Sequence, residues 1–74
     1  MECHERLKEL REEKNYIQQY VASELNVVQR TYSKYERGEV EITASTVIKL
    51  ARLFNVSTDY LLGITNVRRE YPKE

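Results

Sequence analysis

The sequence has one cysteine, one proline, two glycines, one histidine and no net charge. Each shortage excludes something. A lone cysteine cannot build an intrachain disulfide framework or a zinc site made of cysteines. So few Pro and Gly residues leave an all-β fold without its turns. Gly38 and Gly63 stand far apart, so no glycine-rich loop can cradle a phosphate. His4 has no Ser or Cys nucleophile and no orienting acid placed with it by a motif, so an enzyme is not expected. No apolar run approaches the ~18 residues of a membrane span. The start, Met1 to Glu5, lacks the pattern of a signal peptide. A cytoplasmic domain is expected, with no membrane association, metal, cofactor or small-molecule ligand. The balance of 12 Lys and Arg against 12 Asp and Glu gives no bulk affinity for nucleic acid. Any basic face must come from folding.

What is present is helical patterning. With 41% hydrophobic and 32% charged residues over 74 positions, the chain reads as one small folded domain, residues 1–74. Cys3, Leu7, Leu10 and Lys14 share one face and predict a helix over 2–14. Val21, Ala22 and Leu25 predict a second over 18–25. Thr31, Tyr32 and Tyr35 form the inner face of a third over 28–36. Asn15, Asn26 and Gly38 suit the stops, because Asn and Gly tolerate the left-handed backbone. Thr43 then caps a fourth helix over 44–54, where Val47, Leu50, Ala51 and Phe54 recur at helical spacing. Ser57 caps a fifth, Asp59 favours its dipole and Gly63 ends it. The tail, 64–74, shows no period. The expected class is all-α, with five short helices.

The second and third helices are joined by Leu25-Asn26-Val27, a turn of the length that helix-turn-helix units use. Ala22 lies where the helices would cross, and its small side chain permits close approach. Opposite the inner face of the third helix, Gln29, Arg30, Ser33, Lys34 and Arg37 fall on one stripe with no acid among them. The major groove of DNA accepts one helix and offers partners to such groups. Arg pairs with guanine and Gln with adenine.

The order of residues resembles the lambda-repressor/Cro-like (Xre-type) helix-turn-helix family. The matching stretches are RLKELR (6–11), QQYVASELNV (18–27), SKYERG (33–38), LARLFNVS (50–57) and DYLLG (59–63). The resemblance covers about residues 5–63. It implies a compact five-helix lambda-repressor-like domain with its helix-turn-helix unit at about 17–37. It implies a sequence-specific transcriptional regulator, a repressor, that reads a palindromic operator in double-stranded DNA as a homodimer. Carried over by position, Gln18 would meet a phosphate and brace the recognition helix. Gln29, Arg30, Ser33 and Lys34 would read bases and phosphates, and the exposed stripe adds Arg37 to the DNA-binding residues. Arg11 and Glu36 would form a partly buried ion pair. Leu62, Ile64 and Val67 would serve dimerisation.

The sequence departs from that pattern at Ile17 and Val28, where the family usually has a hydroxyl that caps the helix. Asn15 and Asn26 stand where glycine is usual, and the loop Glu39-Val40-Glu41 is acidic. The stripe could be a solvated helix face. Tyr32 and Tyr35 could stack on single strands, but their spacing favours the core. Cys3 and His4 could ligate a metal, but a partly buried thiol and a surface imidazole fit better. The competing function is a protein-interaction module, or an antitoxin-like partner, with weak or no DNA binding.

Overall fold

The computed structural model describes residues 1–73. Among them are five helices and no strand: α1 (Cys3–Glu13), α2 (Gln18–Glu24), α3 (Gln29–Arg37), α4 (Ala44–Phe54) and α5 (Thr58–Leu62). The all-α expectation holds, and α4 has the bounds read from its apolar period.

Every helix is followed by one residue in the left-handed region. Asn15, Asn26, Gly38, Asn55 and Gly63 have φ of 60, 59, 69, 53 and 81°. Two amides then fold back onto the last turn. After α1, Tyr16 N–H donates to Arg11 O at 3.1 Å and Asn15 N–H to Glu12 O at 3.0 Å. This satisfies carbonyls that the helix leaves unpaired and reverses the chain within a few residues. Asn55 belongs to the same set but was not singled out by the sequence reading.

Helix starts are less uniform. The Thr43 hydroxyl accepts from Thr46 N–H at 3.3 Å, and the Ser57 hydroxyl from Tyr60 N–H at 3.1 Å. At α1, the Glu5 carboxylate reaches back to accept from Glu2 N–H at 3.0 Å, in the manner of a capping box. By contrast α2 and α3 start at Ile17 and Val28 with no side-chain cap. Their stability rests on what they pack against.

The core gathers Leu7 and Leu10 of α1, Val21 and Ala22 of α2, Tyr32 of α3, and Leu50, Ala51 and Phe54 of α4. Two inward assignments need correction: Lys14 is exposed and Thr31 is only half-buried. Glu36 is buried, as its expected pairing with Arg11 requires. Exposure lets the Lys14 ammonium stay hydrated, and the Arg11 guanidinium makes burial of Glu36 tolerable.

Arg6 is the other buried charge, at 3% exposure. Its guanidinium donates to Tyr60 O at 2.8 Å and to Asn66 Oδ1 at 3.1 Å, and lies 3.8 Å from the centre of the Tyr60 ring. The tail is thereby drawn onto the body. Ser57 N–H donates to Arg69 O at 2.8 Å, and Arg68 makes a two-pronged bond to Glu13 at 2.6 and 2.8 Å. Tyr71 packs against the core. The N-terminus closes the same corner. A Cβ on Gly63 would lie 2.1 Å from the Met1 carbonyl oxygen, so this position needs glycine for space as well as for its φ.

Arg6→Met keeps the apolar stem but leaves the Tyr60 carbonyl without its buried donor. Losing a charge-assisted hydrogen bond and a cation–π contact should cost about 2–4 kcal/mol. Urea unfolding checks this, with Lys8→Met, on the exposed face of the same helix, expected to unfold like the unaltered chain.

Candidate nucleic-acid interface

Helices α2 and α3 and the turn between them form a helix-turn-helix unit. Ala22, buried at the contact, has its carbonyl bonded to Val27 N–H at 3.0 Å, which tightens the turn. The structure places all five stripe residues on α3. Gln29, Arg30 and Arg37 are exposed, while Ser33 and Lys34 are half-buried. Gln18 is the first residue of α2. Arg30 makes no hydrogen bond or ion pair with another described residue, so its guanidinium is available to an outside partner.

The inner side of α3 is held by a charged node. Arg11 Nε lies 2.6 Å from Glu36 Oε2, and its Nη2 lies 3.1 Å from Oε1. Arg11 Nη1 donates to Tyr16 O at 2.8 Å, and Gln18 Nε2 donates to Glu36 Oε1 at 3.1 Å. The Glu36 side chain is 3% exposed and that of Arg11 13%. Burial pushes the Glu36 carboxyl upward, but bonds from Arg11 first and then its neighbours outweigh it and hold the pKa below the usual range. The Tyr32 hydroxyl is buried beside this node without a hydrogen bond of good geometry. Burial, then the nearby carboxylate, raises its pKa, so the phenol stays neutral.

The stripe itself is not free of acid, which corrects the sequence reading. Arg37 Nε bonds to Glu39 Oε2 and its Nη1 to the Ser33 hydroxyl, while Nη2 reaches Glu39 Oε1 at 3.4 Å. A survey along α3 alone misses Glu39, because it lies past the helix end and is returned by the turn at Gly38. The structure also exposes two apolar side chains at the starts of the unit, Ile17 and Val28. The sequence marked them only as missing caps.

Leu62, Ile64 and Val67 are all exposed, and Ile64 reaches 71%. They do not seal the core. Leu62 lines an open apolar groove of about 380 Å³ with Ile42 and Ile48, whereas Ile64 and Val67 lie outside its lining. Ile48 escaped the sequence reading because it sits on the outer face of α4. Cys3 is half-buried, and burial raises its thiol pKa. His4 is half-buried rather than at the surface, its ring seated where a Cβ on Gly38 would be. No cluster of metal-ligating side chains occurs among the described residues.

Glu36→Ala leaves the Arg11 guanidinium largely buried and without its carboxylate, a change expected to cost about 3–5 kcal/mol. A cost below about 1 kcal/mol in chemical unfolding would show that the pair behaves as an exposed one. The acid side is a separate check. A carboxyl whose pKa is depressed on folding contributes stability that is complete above its unfolded pKa, about 4.3. That stability is lost as pH falls through the lower folded value. Below about pH 4.3, the unaltered chain should therefore lose more stability than Glu36→Gln does.

Comparison with known proteins agrees with this geometry. A helix-turn-helix family model matches residues 7–61. The HTH-type transcriptional regulator ImmR of Bacillus subtilis (strain 168) is 41% identical over 70 residues, which is 95% of this chain and 55% of that protein. The chain thus spans little more than half the length of such curated relatives. The crystal structure of the P22 c2 repressor with a synthetic operator superposes with a TM-score of 0.77 at 26% identity, covering 84% of this chain and 94% of that one. A transcriptional regulator from Listeria innocua superposes at 0.80 with 32% identity, covering 99% of this chain and 62% of that one. The fold is that of DNA-binding regulators, not of enzymes. The chain belongs to the lambda-repressor-like (Xre-type) helix-turn-helix family.

Proposed function

We propose that this chain is a sequence-specific DNA-binding regulator, a repressor, that reads a palindromic operator as a homodimer through the outer face of α3. One observation carries the reading. A polar-basic stripe stands outward on a helix fixed from behind, in a fold shared with a repressor solved on its operator. Gln29 and Arg30 open the recognition helix, the part that enters the major groove deepest. Arg30 suits the guanine edge and Gln29 the adenine edge. Val28, exposed just before them, offers methyl groups to a thymine. Lys34, one turn later, can reach a base or a flanking phosphate; Arg37 and Gln18 are assigned to the backbone, whose contacts carry no sequence information.

Size supports pairing. The domain measures 29 Å along its longest axis, and successive major grooves on one side of DNA are ~34 Å apart. A single copy therefore covers one half-site. The exposed Leu62, Ile64 and Val67 at the end of α5 and in the tail are the apolar surface proposed for the second copy.

Gln29→Ala and Arg30→Ala should each lose about 1–3 kcal/mol on the preferred site and relax choice at particular base pairs. Gln18→Ala should weaken all sequences about equally, measured in variants of matched stability, because Gln18 also holds Glu36. Lys34→Ala should flatten the salt dependence if Lys34 meets phosphate, and relax base choice if it meets a base. Selection of bound sequences from random DNA supplies the site for these titrations. If well-folded Gln29→Ala and Arg30→Ala bind with unchanged affinity and preference, the stripe is not the reading head, and a protein-interaction module takes its place. Sedimentation at micromolar concentration tests the pairing. Only single-domain species, with and without DNA, would refute it.

A further inference from the structure

The reading of α3 as the DNA-facing helix leaves Glu39 unexplained. Its carboxylate occupies the two-pronged position on Arg37 that a backbone phosphate would take. This placement is built by the backbone. Gly38 is left-handed, and Glu39 N–H donates to Lys34 O at 3.0 Å, which folds residue 39 against the last turn of α3. The same guanidinium reaches the Ser33 hydroxyl, so one acid, one cation and one hydroxyl of the stripe are linked in a chain. The bond from Arg37 first, and the nearby Lys34 charge as well, hold the Glu39 carboxyl below its ordinary pKa.

We propose, on the strength of the DNA-binding reading, that Glu39 is an internal competitor for the DNA backbone. It occupies Arg37 when DNA is absent and sets how tightly the domain holds DNA of any sequence. The chemistry favours exchange. Carboxylate and phosphate diester both present paired oxygens to the fork of a guanidinium. Both side chains of the internal pair are about half exposed, so water and salt weaken it, and its release is cheap. A phosphate that takes Arg37 must still meet the displaced carboxylate at short range. Glu39 therefore lowers affinity without touching a base. Because Arg37 donates to Ser33, the Ser33 proton remains free to point outward, and the competitor leaves that donor in place.

The test compares the unaltered chain with Glu39→Gln, Arg37→Gln and the double variant. Gln keeps the length and an acceptor oxygen at position 39 but removes the charge. Two duplexes are titrated across salt concentrations, one of mixed sequence and one carrying the site selected from random DNA. Circular dichroism and thermal melting establish that all four proteins are folded. Glu39→Gln should tighten both duplexes by the same factor, about two- to fivefold at low salt, the range expected for release of an exposed ion pair. The gain should shrink as salt rises, and should be clearly smaller in the Arg37→Gln background, since a cycle isolates coupling between contacting residues. Binding only after the charge is removed also supports the proposal. Equal binding before and after, or an equal gain with and without Arg37, overturns the competitor and leaves the DNA reading standing. Failure of the unaltered chain and Glu39→Gln alike to bind either duplex at low salt overturns the DNA reading, and the competitor with it.

Discussion

The structure turns on the Glu36 carboxylate. It belongs to α3, yet its hydrogen bonds come from α1 through Arg11 and from α2 through Gln18. Arg11 uses its remaining prong on the Tyr16 carbonyl, in the turn that joins those two helices. Three helices are thus tied at one buried point. A helix of nine residues is not stable alone in water, and α3 has no side-chain cap to help it. Its position is a consequence of the node and of Tyr32, which is fully buried one turn earlier. The cost of burying the charge is offset by three hydrogen bonds, two from Arg11 and one from Gln18.

That node also explains how a neutral chain can carry a useful surface. Arg6 is consumed in holding the tail and α5, Arg11 in holding α3, and Arg68 in a bond to Glu13. What a ligand meets is therefore set by which charges are left over, not by the total. Arg30 is left over, at the end of α3 that a groove would admit first. Phosphate attraction falls off within about 8–10 Å at ordinary salt, so this local remainder matters more than acids on the far side of the domain.

Much of this was legible in the sequence, and the reason is local. Helices with an apolar period, such as Val47, Leu50, Ala51 and Phe54, announce themselves within eleven residues. Their stops follow from Asn and Gly, whose tolerance of the left-handed backbone is a property of the single residue. The stripe on α3 followed from spacing, and the Arg11–Glu36 pair from resemblance. What escaped was non-local. Arg6 reads as one more exposed cation on α1, and only contacts 54 and 60 residues away show why it is buried. The tail has no period because loop backbone and single side chains hold it, not a packed face. Ile48 escaped for the opposite reason. A helical period locates the face that packs inward, and says nothing about apolar residues on the other side.

Gly38 joins the two sides of α3. On the inner side, His4 of α1 occupies the space a Cβ would need, with Nδ1 only 2.9 Å from that position. A side chain at residue 38 would disturb the contact between α1 and the end of α3 as well as strain the backbone. On the outer side, the left-handed turn aims residue 39 back at Arg37. One backbone conformation thus closes the helix, seats it on α1 and decides which residue's charge lies beside its last turn. The acid at residue 39 is accordingly not interchangeable with an acid elsewhere in the loop. Glu41, two residues on and past the turn, shares its charge but makes no bond to the stripe. Position relative to the turn, more than loop composition, determines which carboxylate a DNA backbone would have to displace.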